Sequence, residues 1–331
     1  MANDALGNFA ICTPLAQGLL AQYPGCSLDF YGGERTAELE SAGRLFSWRT
    51  SVHGTPFSES AVHGAKRRDE LGGYDLVVNI EAGHANRALA ALLATGETLV
   101  CGPCLSPDSR GMWEFPQDER GDLWRDMEWT AEDVADKYTF LETSFIGEIF
   151  YKLAYIPPLE DAPWPGGLPH YSFPVEEPPS AMPDVLISTG GTLPQKLWPV
   201  EKWRNMLREL GERVGLLGAP PKSQREFYHS DEDEQSLVDE GLAEDLRGKL
   251  TLPQVVGALA GADLVITIDN GILHFAAAND VPTVGLYRRG FDRLWAPPNP
   301  NLVRLTPADG DVANLEIRAV LDAAAKLRAT A

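Results

Sequence analysis

The sequence predicts an α/β protein of two domains, built on parallel sheet covered by helices. Three observations predict it. Short continuous apolar runs alternate with helical stretches, as in a parallel sheet covered on both faces. The 331 residues exceed what one core usually serves. Nine prolines fall between Pro157 and Pro183, a density that prevents helix and removes ladder donors. The expected division is therefore residues 1–156, a proline-rich linker at 157–183, and residues 184–331 with a terminal helix.

In the first half, Phe9–Leu20 reads as a helix bent or begun at Pro14. Ser27–Tyr31, Tyr74–Ile80 and Thr98–Cys101 read as strands, with a helix over Ala85–Ala94. The stretch from Pro107 to Trp129 has no period and is long for a loop. The second half is more regular. Asp184–Thr189 is a short apolar strand ending at Gly190-Gly191, and Pro199–Leu210 is a helix with proline at its start. Arg213–Leu217 is a strand stopped by Gly218, and Leu252–Gly261 is a helix. Asp263–Ile268 is a buried strand, Gly271–Ala278 a helix, and Pro282–Tyr287 another strand. The terminal helix, Asp311–Leu327, is expected to pack back on the first domain.

The net charge is −20, a field that repels phosphate backbones and anionic headgroups, so neither nucleic acid nor membrane is an expected partner. No window is apolar enough to span a bilayer, and no basic segment precedes an apolar core at the N-terminus. The expected location is the cytoplasm. Four cysteines are too few for a disulfide scaffold, and Cys101-Gly102-Pro103-Cys104 reads as two reduced thiols at a strand end. Asp231-Glu232-Asp233-Glu234 contains a D-x-D pattern, but its setting in a polar connection reads as a solvated run and not as a metal site.

Two strand-end turns carry the chemistry. Open α/β sheets bind ligands outside the carboxyl ends of their strands. At Asp269-Asn270-Gly271 a buried strand ends, Gly271 permits close approach, and a helix start follows whose free N–H groups suit phosphate. Asp269 repels phosphate, so it reads as a partner for sugar hydroxyls or for Lys196. At Gly190-Gly191-Thr192 the hydroxyl of Thr192 and the ammonium of Lys196 are spaced to reach one phosphate. His274 lies one turn into the helix and can face the same anion. Neither a Walker motif nor G-x-G-x-x-G is present, which weakens NTPase and dinucleotide readings.

These turns together resemble the bacterial heptosyltransferases, glycosyltransferase family nine, whose GT-B fold implies two Rossmann-like domains facing each other across a cleft. The resemblance is carried by Lys196-Leu197-Trp198-Pro199, by Leu216-Leu217-Gly218, by Gly248-Lys249-Leu250-Thr251-Leu252, and by Asp269-Asn270-Gly271-Ile272-Leu273-His274 with the strand that follows. In the first half it rests on Leu6-Gly7-Asn8 and on Tyr74–Glu81. It implies that Lys196 and Thr192 contact the donor phosphates and that Asp269 is the sugar-side carboxylate. Asn270, Gly271 and His274 would form the helix-start phosphate site, and Leu250 would lie under the nucleobase. Gly7 and Asn8 would belong to an acceptor-side loop.

Three departures accompany it. The family's L-G-D aspartate, the catalytic base, is Asn8 here, and an amide cannot take an acceptor's proton. Asp4 and, second, Glu81 are the replacement candidates. Asn270 stands in place of a hydroxyl residue, and the family's first strand lacks residues before Asp4. The implied reaction is inverting transfer of a sugar, heptose by the resemblance, from an ADP-sugar or related NDP-sugar. It needs no metal and no cofactor, because the lysine and the helix start would neutralise the leaving diphosphate. The acceptor is expected to be a soluble small molecule, as in natural-product biosynthesis. The rival readings are a nucleotide-sugar binding protein without transferase activity and a GT-B sugar-nucleotide epimerase.

Overall fold

The computed structural model describes residues 1–2, 5–106, 108, 111–126, 129, 134–220 and 231–330. Asp4 and Pro107 lie outside them. The chain separates into two compact units, Met1–His170 and Tyr171–Ala331.

The first unit contains α1 (Leu6–Gln22), β1 (Asp29–Gly33), α2 (Ala37–Ala42), β2 (Trp48–His53), α3 (Phe57–Leu71), β3 (Leu76–Val78) and α4 (His84–Leu93). It continues with β4 (Leu99–Cys101), α5 (Glu119–Asp126), α6 (Val134–Lys137) and α7 (Ile146–Leu153). Its strands form two separate parallel pairs, β1 with β2 and β3 with β4. The strands and helix expected in this half are present with shifted ends, but β2, α2, α3, α5 and α7 were not anticipated. β2 reads polar because Arg49 is spent on buried Glu40, at 2.7 Å. α7 is buried at every position, Glu148 and Lys152 included, and its 8 residues are too few for a period to stand out in the sequence. The helix expected to start at Phe9 begins at Leu6 and runs through Pro14. Gly7 and Asn8 therefore occupy its first turn and are not a loop.

The second unit contains β5 (Val185–Ser188), α8 (Val200–Leu210), β6 (Val214–Leu216), α9 (Asp231–Asp239), β7 (Glu244–Asp245), α10 (Leu252–Ala260) and β8 (Leu264–Ile268). It ends with α11 (Gly271–Ala278), β9 (Thr283–Leu286), α12 (Phe291–Trp295), β10 (Leu302–Leu305) and α13 (Ile317–Thr330). Six parallel strands lie in the order β10-β9-β8-β5-β6-β7. Val185, Ile187, Ile266, Ile268, Val284 and Leu286 are wholly buried, as central parallel strands require. Trp203, Met206 and Leu207 of α8 and Val320, Ala323, Ala324 and Leu327 of α13 follow helical spacing onto this sheet.

One expectation needs correction. The terminal helix packs within the second unit, against α8 and β8–β10, because its apolar stripe completes that core. Trp198 Nε1 and Lys202 Nζ both donate to the Leu315 carbonyl, at 3.0 and 2.8 Å, and tie down the approach to α13. The proline-rich segment contains the division between the units, at His170/Tyr171. Its first part stays with the first unit, where the Tyr151 hydroxyl donates to the Pro157 carbonyl at 3.1 Å. Its second part docks on the second unit, where Glu176 N–H donates to the Pro253 carbonyl at 3.1 Å.

Candidate functional site

The strand order of the second unit reverses between β5 and β8: β6 and β7 build outward on one side, β9 and β10 on the other. Such a switch point opens a crevice at the carboxyl ends of the two strands. The turns after β5 and β8 are those that carry Thr192 with Lys196 and Asp269 with Asn270.

Asn270 is the N-cap of α11, and its Oδ1 accepts from the Ile272 N–H at 3.0 Å. It also accepts from Thr267 Oγ1 at 3.2 Å. Its Nδ2 donates to Ser188 Oγ at 3.1 Å and to the Gly190 carbonyl at 3.0 Å. The amide is thereby engaged on both atoms, and it clamps the β5 turn to the start of α11. A hydroxyl side chain could not make all four bonds. Asn270 therefore braces the switch point, and the cap takes one of the unpaired N–H groups of the helix start.

Lys196 ends a single 3-10 turn, Pro194–Lys196. Its Nζ lies 2.6 Å from Asp269 Oδ2 and 3.3 Å from the Asp269 carbonyl. The side chains are 18% and 8% exposed. An ammonium has three donors, so two point at Asp269 and one is left for an incoming oxygen. Asp269 thus orients the lysine, one of the two roles expected of it. Gly191 sits where a Cβ would press on Ile268 and crowd Leu197, and Thr192 is exposed. Leu250 is half-buried in the turn before α10, behind Gly248, whose φ of +64° is in the left-handed region.

His274 is placed differently from its expectation as an anion-facing group. It is 2% exposed, and its Nδ1 shares a hydrogen bond of 2.8 Å with the Tyr171 hydroxyl. Burial pushes its pKa down to about 4, and Lys196 adds to that while Asp269 opposes it. A neutral imidazole braces the helix and supplies no positive charge at neutral pH.

Several residues escaped sequence reasoning. Glu234, part of the acidic run expected to be solvated, is 1% exposed. It accepts from Thr189 Oγ1 at 2.8 Å and pairs with Arg247 at 3.4 Å, and Arg247 also reaches Asp245 at 2.8 Å. The signal for it was helical spacing, since Glu234 and the buried Leu237 share one face of α9. Tyr171 and Tyr287 had no local signal. The Tyr287 hydroxyl, past the end of β9, is buried without a hydrogen-bond partner. Burial first, then Asp269 and Tyr171, hold it protonated.

The first-unit candidates fall at two element ends. Glu81 follows β3, and its N–H donates to Asn79 Oδ1 at 3.1 Å. The Asn8 carbonyl accepts from Cys12 Sγ. Asp4 lies outside the described residues. Burial raises the thiol pKa of Cys104 and pushes that of Cys101 up to about 11, so neither is a ready nucleophile. Among the described residues no group of three or more His, Cys, Asp or Glu could hold a metal ion.

Residues 169–322 match the model of glycosyltransferase family 9 (heptosyltransferase). That segment, a little under half of the chain, is similar to glycosyltransferase family 9. It contains the switch point, the Lys196–Asp269 pair and α11. Lipopolysaccharide heptosyltransferase 1 of Escherichia coli strain K12 is 33% identical over 100 residues, 29% of each chain. The match thus spans less than a third of that relative. The fold likeness to family 9 is broader. The structure of E. coli ADP-heptose lps heptosyltransferase II superposes with a TM-score of 0.70 at 18% identity, over 100% of this chain and 99% of that one. E. coli heptosyltransferase WaaC with ADP gives 0.65 at 18% identity, over 98% and 97%. The GT-B type of α/β fold is therefore shared along the whole chain.

Proposed function

We propose that the chain is an inverting, metal-independent glycosyltransferase that moves a sugar, heptose by kinship, from an ADP-sugar to a soluble small-molecule acceptor. The carrying observation is the Lys196–Asp269 pair at 2.6 Å beside the start of α11, at the switch point of the sheet. The diphosphate of the donor would take the remaining Lys196 donor and the N–H groups of the α11 first turn. Both offer fixed positive potential where the leaving diphosphate gains charge. Two relatives support the donor class by their names, one an ADP-heptose enzyme and one solved with ADP. In the reaction an acceptor hydroxyl oxygen bonds to the anomeric carbon, the bond from that carbon to the phosphate oxygen breaks, and the diphosphate leaves with the electron pair. The hydroxyl proton goes to a carboxylate. Asp4 is the first choice for it and Glu81 the second, because Asn8 has no basic atom. The net charge of −20 disfavours an anionic glycolipid acceptor and favours a small neutral one.

Asn8 also supports a second reading, a protein that binds nucleotide sugar without transferring it. Incubation with ADP-heptose and a panel of small hydroxylated acceptors, read by mass spectrometry, separates the two. Transfer adds the sugar mass to an acceptor and releases ADP. Replacing the base, by Asp4→Asn or Glu81→Gln, is expected to slow transfer by about 10²–10⁴ with donor affinity kept. Tight donor binding with no adduct from any acceptor would favour the second reading. Full turnover in both variants would remove both candidate bases.

A further inference from the structure

The carboxyl edge of the second sheet holds a further cation, outside the pair described above. β9 neighbours β8, and the Asp269 N–H donates to the Leu286 carbonyl at 3.1 Å. Tyr287 still belongs to the ladder, since its N–H donates to the Leu305 carbonyl at 2.9 Å. Arg288 is therefore the first residue past the end of β9, one step beyond the level of Asp269. Adjacent strands lie about 4.8 Å apart, so Arg288 stands beside the Asp269-Asn270 turn. The chain then turns, and the Phe291 N–H donates to the Arg288 carbonyl at 3.2 Å. That turn brings the Phe291 ring against the guanidinium, with Cζ 3.7 Å from the ring centroid.

The neighbouring arginines have protein partners. Arg289 donates to the Ala308 carbonyl at 2.7 Å, and Arg304 faces Asp292 at 3.9 Å. Arg288 has neither kind of contact. It is half-buried, its Nε is buried without a hydrogen-bond partner, and it forms no ion pair among the described residues. The chain carries 48 acidic side chains against 28 basic ones, so carboxylates are not scarce. A desolvated donor without an acceptor costs free energy. An aromatic face attracts the cation but accepts none of its directed N–H groups at the fork. The guanidinium is thus held in place with its fork free of protein acceptors.

The order of the strand ends decides which part of a ligand it would meet. Along the edge, Leu250 follows β7, Thr192 and Lys196 follow β5, Asp269 ends β8 and Arg288 follows β9. In the proposed donor site these positions serve the nucleobase, the phosphates and the sugar-side carboxylate in turn. Arg288 is next in the row, beyond Asp269 and away from the nucleobase. We propose that Arg288 binds the transferred sugar, its planar fork donating to two neighbouring hydroxyl oxygens. This inference rests on the donor reading above and adds a sugar-recognising residue to it. A fork fixed by stacking selects a sugar that presents both oxygens, because a sugar without them leaves buried donors unmatched.

Calorimetric titration of the wild type, Arg288→Met and Arg288→Lys with ADP and with ADP-heptose tests this. Methionine keeps an unbranched stem against Phe291 and removes the donors, whereas lysine keeps the charge without the fork. Arg288→Met is expected to weaken ADP-heptose binding by about 10- to 100-fold, with the affinity for ADP kept. Arg288→Lys should recover only part of that loss. A purely structural role would not divide the two ligands in this way. An equal loss for ADP and ADP-heptose would overturn the proposal, since the sugar would then not be what Arg288 reads. So would full affinity for both in Arg288→Met. A wild type that binds no ADP would overturn the donor reading itself, and this proposal with it.

Discussion

At the scale of single residues, one side chain repeatedly does another task than its type suggests. Lys196 is not a free surface cation, because Asp269 holds two of its donors. Asn270 is a clamp whose amide is fully engaged. His274 is a neutral brace, with a pKa pushed down to about 4 by burial. That depression has a pH signature. The unfolded imidazole takes up a proton near pH 6.5, whereas the folded one resists until about 4. Its contribution is therefore complete above the unfolded value and is lost as pH falls from about 6.5 towards 4, up to about 3 kcal/mol in all. Denaturant unfolding of the wild type and of His274→Asn across pH 7 to 4 checks this. The wild type should lose stability more steeply, and parallel curves would refute the assignment.

At the scale of elements, close approach matters more than propensity. The proline-rich segment docks on α10 because Gly257 has no side chain: a Cβ there would overlap the Glu176 carbonyl oxygen. In an exposed helix, Gly→Ala adds about 0.8–1.0 kcal/mol of stability. Here the overlap with backbone, at roughly 1–3 kcal/mol for overpacking, outweighs that gain. Gly257→Ala is expected to destabilise by about 1–2 kcal/mol. Gly261→Ala, whose Cβ would meet only carbonyl oxygens at 3.9 Å, is the control and should be near neutral. Urea midpoints measure both, and a stabilised Gly257→Ala would show that the segment is not held against α10. Elements were legible where they carry a clean period. β5, β8, β9 and α11 were anticipated to within a residue or two, because a fully buried parallel strand followed by a glycine turn is a local signal. β2 and α7 were not, because the polar groups of one are satisfied by tertiary partners and the other is too short for a period to stand out.

At the scale of the whole molecule, the two units carry different parts of the proposed reaction, so they should respond differently to ligand. Lys196, Asp269 and α11 belong to the second unit. ADP that binds only the folded state adds about 2.7 kcal/mol at a hundredfold excess over its Kd, and this should appear as a rise in the melting temperature. In Lys196→Ala a charge-assisted contact of roughly 1.5–3 kcal/mol is lost, so at the same ADP concentration most of the rise should vanish. The ligand-induced shift is compared within each protein, since removing the lysine also leaves Asp269 unpaired and lowers the starting stability. An undiminished shift in the variant would exclude the lysine from the phosphate site.

The sequence by itself determined the α/β class, the strand-turn-helix units of the second half, and the turns at Gly190–Thr192 and Asp269–Gly271. Each of these is written in neighbouring residues, through apolar runs, glycine and a capping side chain. Only the tertiary structure decided how distant residues combine. Asn270 reaches Ser188 and Gly190 about eighty positions away, Glu234 is buried against Thr189 and Arg247, and Tyr171 holds His274 across 103 positions. Strand order and burial are properties of the packed sheet, and a hydrogen bond between distant residues leaves no period in the chain that makes it.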